Sequence, residues 1–205
     1  MKNKTVVYVV VALVIILGVG VGIYLTKGDK FSETPSNIGS ENREDNLVGG
    51  ENVLVTDDFS INPPQGWEAR PAPMGASAMA VNVDENVTDS GAKKINFRSY
   101  FAVSYDTLQG RSQEDYIQYI KDALKQSSPS ASFSQEKQIT VDGRDAYAME
   151  IEITQQGANF KVLMIVVWAE GGDVWVISFN TTKDKWQEYA NLFSQTVDSF
   201  TLKSK

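Results

Sequence analysis

Any chemistry in this chain must come from carboxylates, hydroxyls, lysines and aromatic rings, because its 205 residues include no cysteine and no histidine. Without Cys there is no disulfide, no thiolate nucleophile and no thiolate metal ligand. Without His the usual general base near neutral pH is missing, together with the commonest zinc ligand and every His-dependent triad. Adjacent acids occur at Asp57-Asp58 and Asp84-Glu85. Such pairs could run acid/base chemistry or supply oxygens to Ca²⁺. Neighbours in a strand point to opposite faces, however, and no DxDxDG-type loop is present, so both pairs read as solvated surface charge. The stretch from Asp84 to Gly91, with Asp84, Glu85 and Asp89, comes nearest to a Ca²⁺ loop. A Ser-Lys dyad would suit a hydrolase, but no G-x-S-x-G elbow supports one. Trp67, Trp168, Trp175 and Trp186 could line a pocket, yet they fall on apolar faces where core packing is the simpler role. The sequons at Asn86-Val87-Thr88 and Asn180-Thr181-Thr182 matter only in a glycosylating host. This inventory assigns no catalytic, cofactor-binding or metal-binding residue.

Composition narrows the classes further. The formal net charge is −7 and the pI about 4.7. Nucleic-acid binding needs a basic face, and no Lys/Arg cluster supplies one. Apolar residues make up 42% and charged residues 22%, which places the chain among globular proteins rather than disordered ones.

The N-terminal segment has a separate role. After Met1-Lys2-Asn3-Lys4, residues 5–26 (TVVYVVVALVIILGVGVGIYLT) carry no charge. As a helix they would span roughly 33 Å, about the thickness of a bilayer's hydrocarbon core. Tyr8 and Tyr24 lie near the two ends, where amphipathic rings prefer the membrane interface. The run is longer than a signal-peptide core and ends without a small-x-small cleavage site, so an uncleaved transmembrane anchor is expected. Gly18 and Gly22 have GxxxG spacing, which would allow a weak homodimer, although glycine is common in such helices for other reasons. Lys2 and Lys4 nearly balance Lys27 and Lys30. The short tail 1–4 is expected to stay cytoplasmic, with the rest of the chain extracytoplasmic at the cell membrane. Residues 27–51 are rich in Gly, Ser, Asn, Asp and Glu and show no period, so they are expected to form a disordered acidic linker.

Residues 52–205 carry the pattern of one globular domain. A first extended region, 52–61, ends in a turn forced by Pro63 and Pro64. Trp67 resumes an extended segment, and a small-residue strand over 76–83 leads to the polar stretch 84–91. From Ile95 to Tyr105 the alternation puts Ile95, Phe97, Phe101, Val103 and Tyr105 on one face, with Asn96, Arg98 and Ser104 on the other. Ser112-Gln113-Glu114-Asp115 opens a helix with the stripe Tyr116, Ile117, Ile120, Ala123 and Leu124. Strands over 133–141, 147–154, 160–169 and 174–179 then follow, with turns at Asp142-Gly143, Gln156-Gly157 and Glu170-Gly171-Gly172-Asp173. The last two are apolar at consecutive positions, which requires cover on both faces, while their short turns require antiparallel pairing. Thr181-Thr182-Lys183-Asp184 reads as the cap of a closing helix whose apolar face runs from Trp186 to Phe200. The expected class is α+β: an antiparallel β-sheet covered by helices on both faces, an α/β/α sandwich preceded by one transmembrane helix.

Two local signatures give this order of elements a likeness. Phe59-Ser60-Ile61-Asn62-Pro63-Pro64-Gln65-Gly66-Trp67 resembles the aromatic-x-Ile…Pro-x-Gly-Trp opening of the PsbP-like family, which includes the Ran-binding Mog proteins. Trp175-Val176-Ile177-Ser178-Phe179, Trp186 and Val197-Asp198-Ser199-Phe200 resemble its closing strand, helix and Ser-Phe finish. The resemblance covers about 55–202 and implies an α/β/α sandwich with roles in binding and assembly. Metal-linked histidines of the family have no counterpart here. The expected function is therefore a membrane-tethered, extracytoplasmic, non-catalytic binding or assembly module with a protein partner at the membrane, no nucleic acid and no cofactor. A small extracytoplasmic hydrolase and a sensor of a small apolar ligand are the alternatives.

Overall fold

The computed structural model describes residues 53–203 apart from Met74. The expected anchor 5–26, with Gly18 and Gly22, and the expected linker 27–51 lie outside the described residues. Among the described residues no helix is long and apolar enough to cross a membrane.

The chain forms β1 (Leu54–Val55), β2 (Phe59–Ile61), β3 (Glu68–Ala69), β4 (Ala78–Val81), α1 (Ser90–Lys94), β5 (Tyr100–Thr107) and α2 (Gln113–Ser127). It continues through β6 (Ser132–Val141), β7 (Arg144–Gln155), β8 (Ala158–Trp168), β9 (Asp173–Thr182), α3 (Trp186–Asp198) and β10 (Thr201–Leu202). Seven strands make one antiparallel sheet in the order β3-β4-β5-β9-β8-β7-β6, and β1-β2-β10 make a small second sheet. The hairpin turns fall where the sequence places them. Asp142 and Gly143 have φ of 52° and 70°, and Gln156 and Gly157 have 51° and 77°, the left-handed pair that matches the twist of a tight hairpin.

Both faces of the large sheet are covered, as the unbroken apolar runs of β8 and β9 demand. On one face, Tyr116, Ile117, Ile120 and Leu124 of α2 and Ala92 of α1 pack on Tyr100, Ala102, Val162, Met164, Val166 and Val176. On the other, Trp186, Tyr189, Phe193 and Val197 of α3 and Phe59 and Ile61 of β2 pack on Phe101, Val103, Ile165, Ile177 and Phe179. Ser112 caps α2 by accepting from the Asp115 N–H at 3.1 Å, as its capping pattern predicts.

Four expectations need correction. The polar stretch 84–91 is not all loop: Asp89 accepts from the Gly91 and Ala92 N–H groups at 2.8 and 2.9 Å and starts α1. This helix breaks the alternation drawn from Ile95 to Tyr105. Phe97 lies beyond it and turns to the α2 side, whereas Phe101 and Val103 face α3. Ser104, expected on a polar face, is buried because α2 covers that face too. Thr181 and Thr182 do not cap the closing helix: β9 runs through Thr182, and Lys185 precedes α3 without a side-chain cap. The region 52–61 is two short strands, because Thr56 Oγ1 accepts from the Phe59 N–H at 3.1 Å and closes a turn.

The packing of α1 yields a test. A Cβ on Gly91 would run into the backbone of Gly157 and Ala158 in the β7–β8 turn, which cannot retreat like a flexible side chain. Gly91→Ala should therefore cost about 1–3 kcal/mol in urea unfolding. An unchanged midpoint would show that α1 does not seat against that turn.

Candidate functional site

Strand β6 is the long open edge of the large sheet. The opposite edge, β3, has 2 residues, whereas β6 has 10, most of them exposed. Its first half is interrupted by a bulge between Ser134 and Lys137, with Gln135 at φ 52°. A bulge with flanking charges is a common guard against unwanted strand pairing. Its second half, Lys137 to Val141, is regular and pairs residue by residue with Ala148 to Arg144.

Each covering helix leaves part of this edge uncovered, so a groove lies between helix and β6 on each face. On the α2 side a groove of about 290 Å³ is lined by Glu114, Ile117, Lys121, Asp145, Tyr147 and Trp168, among others. On the α3 side a groove of about 340 Å³ has Ile139, Ala148, Leu163 and Ile165 against Trp186 and Ala190. Ile139 borders both.

The α2-side groove has a fixed charge arrangement. Glu136 accepts from the Lys121 ammonium and from the Tyr147 hydroxyl. The Lys121 ammonium, then the Tyr147 hydroxyl, hold the Glu136 carboxyl below the usual carboxylate range. Partial burial, then the neighbouring carboxylate, push the Tyr147 hydroxyl up to about 12, so it stays a proton donor. Trp168 is half-buried and meets Tyr116 edge-on at 5.7 Å.

The residues singled out in the sequence are scattered and mostly serve the fold. Asp57 and Asp58 sit in the exposed β1–β2 turn rather than a strand. Asp84 is exposed and Asp89 caps α1, whereas Glu85 is buried and accepts from the Ser99 N–H and Oγ at 2.6 and 2.7 Å. The structure therefore does not gather these three acids, and among the described residues no group of acids is placed to hold a metal ion. Asn180 is fully buried, which leaves Asn86 as the sequon open to solvent. A Ser-x-x-Lys spacing occurs at Ser90…Lys93 and Ser134…Lys137, but all four residues are exposed, so neither lysine has the desolvated setting a base requires. Trp67, Trp175 and Trp186 are buried in the α3-side core, and Trp168 alone of the four borders the α2-side groove. Sequence reasoning missed β6 as a site because an exposed edge and an exposed hairpin strand share one polar pattern.

The two sequence signatures meet in space. Phe59 packs on Trp175 at 5.2 Å and on Phe200 at 5.5 Å, and Trp67 meets Tyr189 at 5.8 Å and Phe193 at 6.0 Å. The family model described as PsbP matches residues 55–202. The chain belongs to the PsbP family. Two solved structures share the fold of this PsbP domain at low identity, and a third is similar to it over part of its length. LpqN of Mycobacterium tuberculosis, described as involved in cell envelope biogenesis, is 15% identical, with 71% of this chain and 83% of that chain covered at a TM-score of 0.53. The cyanobacterial PsbP of Synechocystis sp. PCC 6803 is 16% identical, with 81% and 99% covered at a TM-score of 0.53. The Ran-binding protein Mog1p of Saccharomyces cerevisiae is 15% identical, with 70% and 89% covered at a TM-score of 0.49. No curated protein matches the sequence.

The Glu136 cluster of this PsbP domain makes a pH prediction. A carboxylate whose folded pKa is lowered stabilises the fold above its unfolded pKa of about 4.3, and that gain is lost as pH falls through the folded value. Glu136 and Lys121 side chains are 32% and 19% exposed, so solvent screening limits the effect to about 0.5–1 kcal/mol. Glu136→Gln should melt earlier than the parent at neutral pH, with the gap closing on acidification below about pH 4. A gap independent of pH would remove the ion pair from the account.

Proposed function

We propose that this chain is a non-catalytic binding or assembly module that acts on a protein partner at the outer face of a cell membrane. The observation that carries the reading is the β6 edge, open along 10 residues and flanked by a groove on each face. An exposed edge offers backbone donors and acceptors, and grooves beside it offer side-chain selectivity, which is how strand-adding binding modules work. The acids, serines and tryptophans that could have carried chemistry are either exposed and dispersed or engaged in the fold, which favours binding over turnover. Residues 5–26 serve as the anchor and 27–51 as the tether, so the domain 52–205 works within about 25–30 Å of the bilayer. LpqN, of the same fold, is involved in cell envelope biogenesis, which agrees with a role at the cell boundary.

Cross-linking in intact cells, followed by extraction of the full chain, should recover one stoichiometric protein partner. If none appears, and a hydrolase panel shows turnover that falls on a single carboxylate substitution, the reading is wrong and an enzyme takes its place. Ligand-dependent quenching of Trp168 fluorescence by small apolar compounds would instead favour a sensor. Removing residues 1–26 should give a folded protein that stays soluble without detergent; aggregation would mean that the domain itself needs the bilayer.

A further inference from the structure

An added strand sends successive side chains to opposite faces of the sheet. A segment paired along Lys137 to Val141 would therefore meet the α2-side groove and the α3-side groove in alternation, and the two grooves differ in chemistry.

On the α2 side, Glu114 and Asp145 are exposed, and among the described residues neither has an ion-pair partner. Lys121, the cation that lines this groove, is matched by Glu136. Tyr147 and Trp168 add ring surfaces to the same groove. Two open carboxylates beside aromatic rings favour a cation that carries an aliphatic stem, and they repel an acid.

On the α3 side the floor is Ile139, Ala148, Leu163 and Ile165, and α3 contributes Ala190 and Val197. The acid beside this floor, Glu150, is bound to Lys161 at 2.8 Å. Lys137 and Asp198, at the rim, are of opposite sign. This groove favours an apolar side chain.

We propose that β6 takes up an extended segment of its protein partner in which Lys or Arg alternates with an apolar residue. The backbone would pair with the regular half of the strand, while the bulge at Gln135 limits pairing to Lys137–Val141. The basic side chains would lie along Tyr147 and Trp168 toward Glu114 and Asp145, and the apolar ones would cover Ile139 and Leu163. This inference rests on the binding-module reading and adds the chemistry of the partner.

The probe is a fluorescent hexapeptide of alternating Val and Lys, titrated by anisotropy against the full chain in nanodiscs of uncharged phosphatidylcholine. Saturable binding is expected. It should weaken about tenfold in the double variant Glu114→Gln, Asp145→Asn and at least as much when alternate peptide nitrogens are methylated, which removes the strand's donors. An alternating Val-Glu peptide should not bind. Circular dichroism checks that the variant is folded; both substitutions are at exposed positions. Equal affinity for the Val-Glu peptide, for the methylated peptide or for the double variant would overturn the proposal, as would the absence of saturable binding. A stoichiometric partner recovered by cross-linking while these peptides fail would leave the binding module standing and remove only this account of its site.

Discussion

Two-sided burial of the central strands is the constraint on which the rest of the structure depends. β9 is buried along nearly its whole length, and β8 along most of its own. An antiparallel sheet with such a centre is unstable with one wet face, since each large apolar side chain left exposed forfeits roughly 1.5–3 kcal/mol. Helices must therefore lie on both faces, and the chain supplies them from two places: α2 between β5 and β6, and α3 after β9. The connection between β5 and β6 allows β9 to sit beside β5, which puts the most continuously buried strand fourth in a row of seven.

The same constraint creates the open edge. α2 and α3 have 15 and 13 residues, and they are placed where the apolar demand is greatest, over the middle of the sheet. The hairpin β6–β7 extends past them. β7 is half covered and keeps buried residues on both faces, whereas β6 is left with a polar, charged sequence that tolerates water. A groove on each face is what remains where a helix stops short of a sheet. Its charge character comes from local accidents of pairing: Glu136 consumes Lys121, and Glu114 and Asp145 are left over.

An aromatic interlock fixes the α3 side. Phe193 stacks on Phe179 at 4.7 Å and touches Trp67, Trp186 and Tyr189, and aromatic pairs of this kind contribute about 0.5–1.5 kcal/mol each beyond area burial. Residues from the start and the end of the domain are brought together there, which explains why the two signatures read from the sequence lie more than 100 residues apart yet belong to one core. The α2 side is less uniform. Ser104 Oγ and Asn180 Oδ1 are buried there with no hydrogen-bond partner among the described residues, close to the apolar side chains of β8 and β9.

Much of the fold was legible in the residues themselves. The two hairpins from β6 to β8 follow from Asp142-Gly143 and Gln156-Gly157, α2 from its cap and stripe, and the need for two helical covers from unbroken apolar runs. These are local signals, set by φ preferences and by periodicity within a dozen residues. The sequence also set the residue inventory and with it the exclusion of thiol and imidazole chemistry. What it could not decide was which strand would be the edge, because strand order depends on long-range pairing of β9 with β5, and an exposed edge has the same polar pattern as any half-exposed strand. Nor could it separate Asp84, Glu85 and Asp89, close in sequence, into an exposed acid, a buried acceptor and a helix cap. Those roles depend on Ser99 and α1 arriving from elsewhere in the fold. The tertiary structure alone placed Glu114 and Asp145, 31 positions apart, on one groove beside β6.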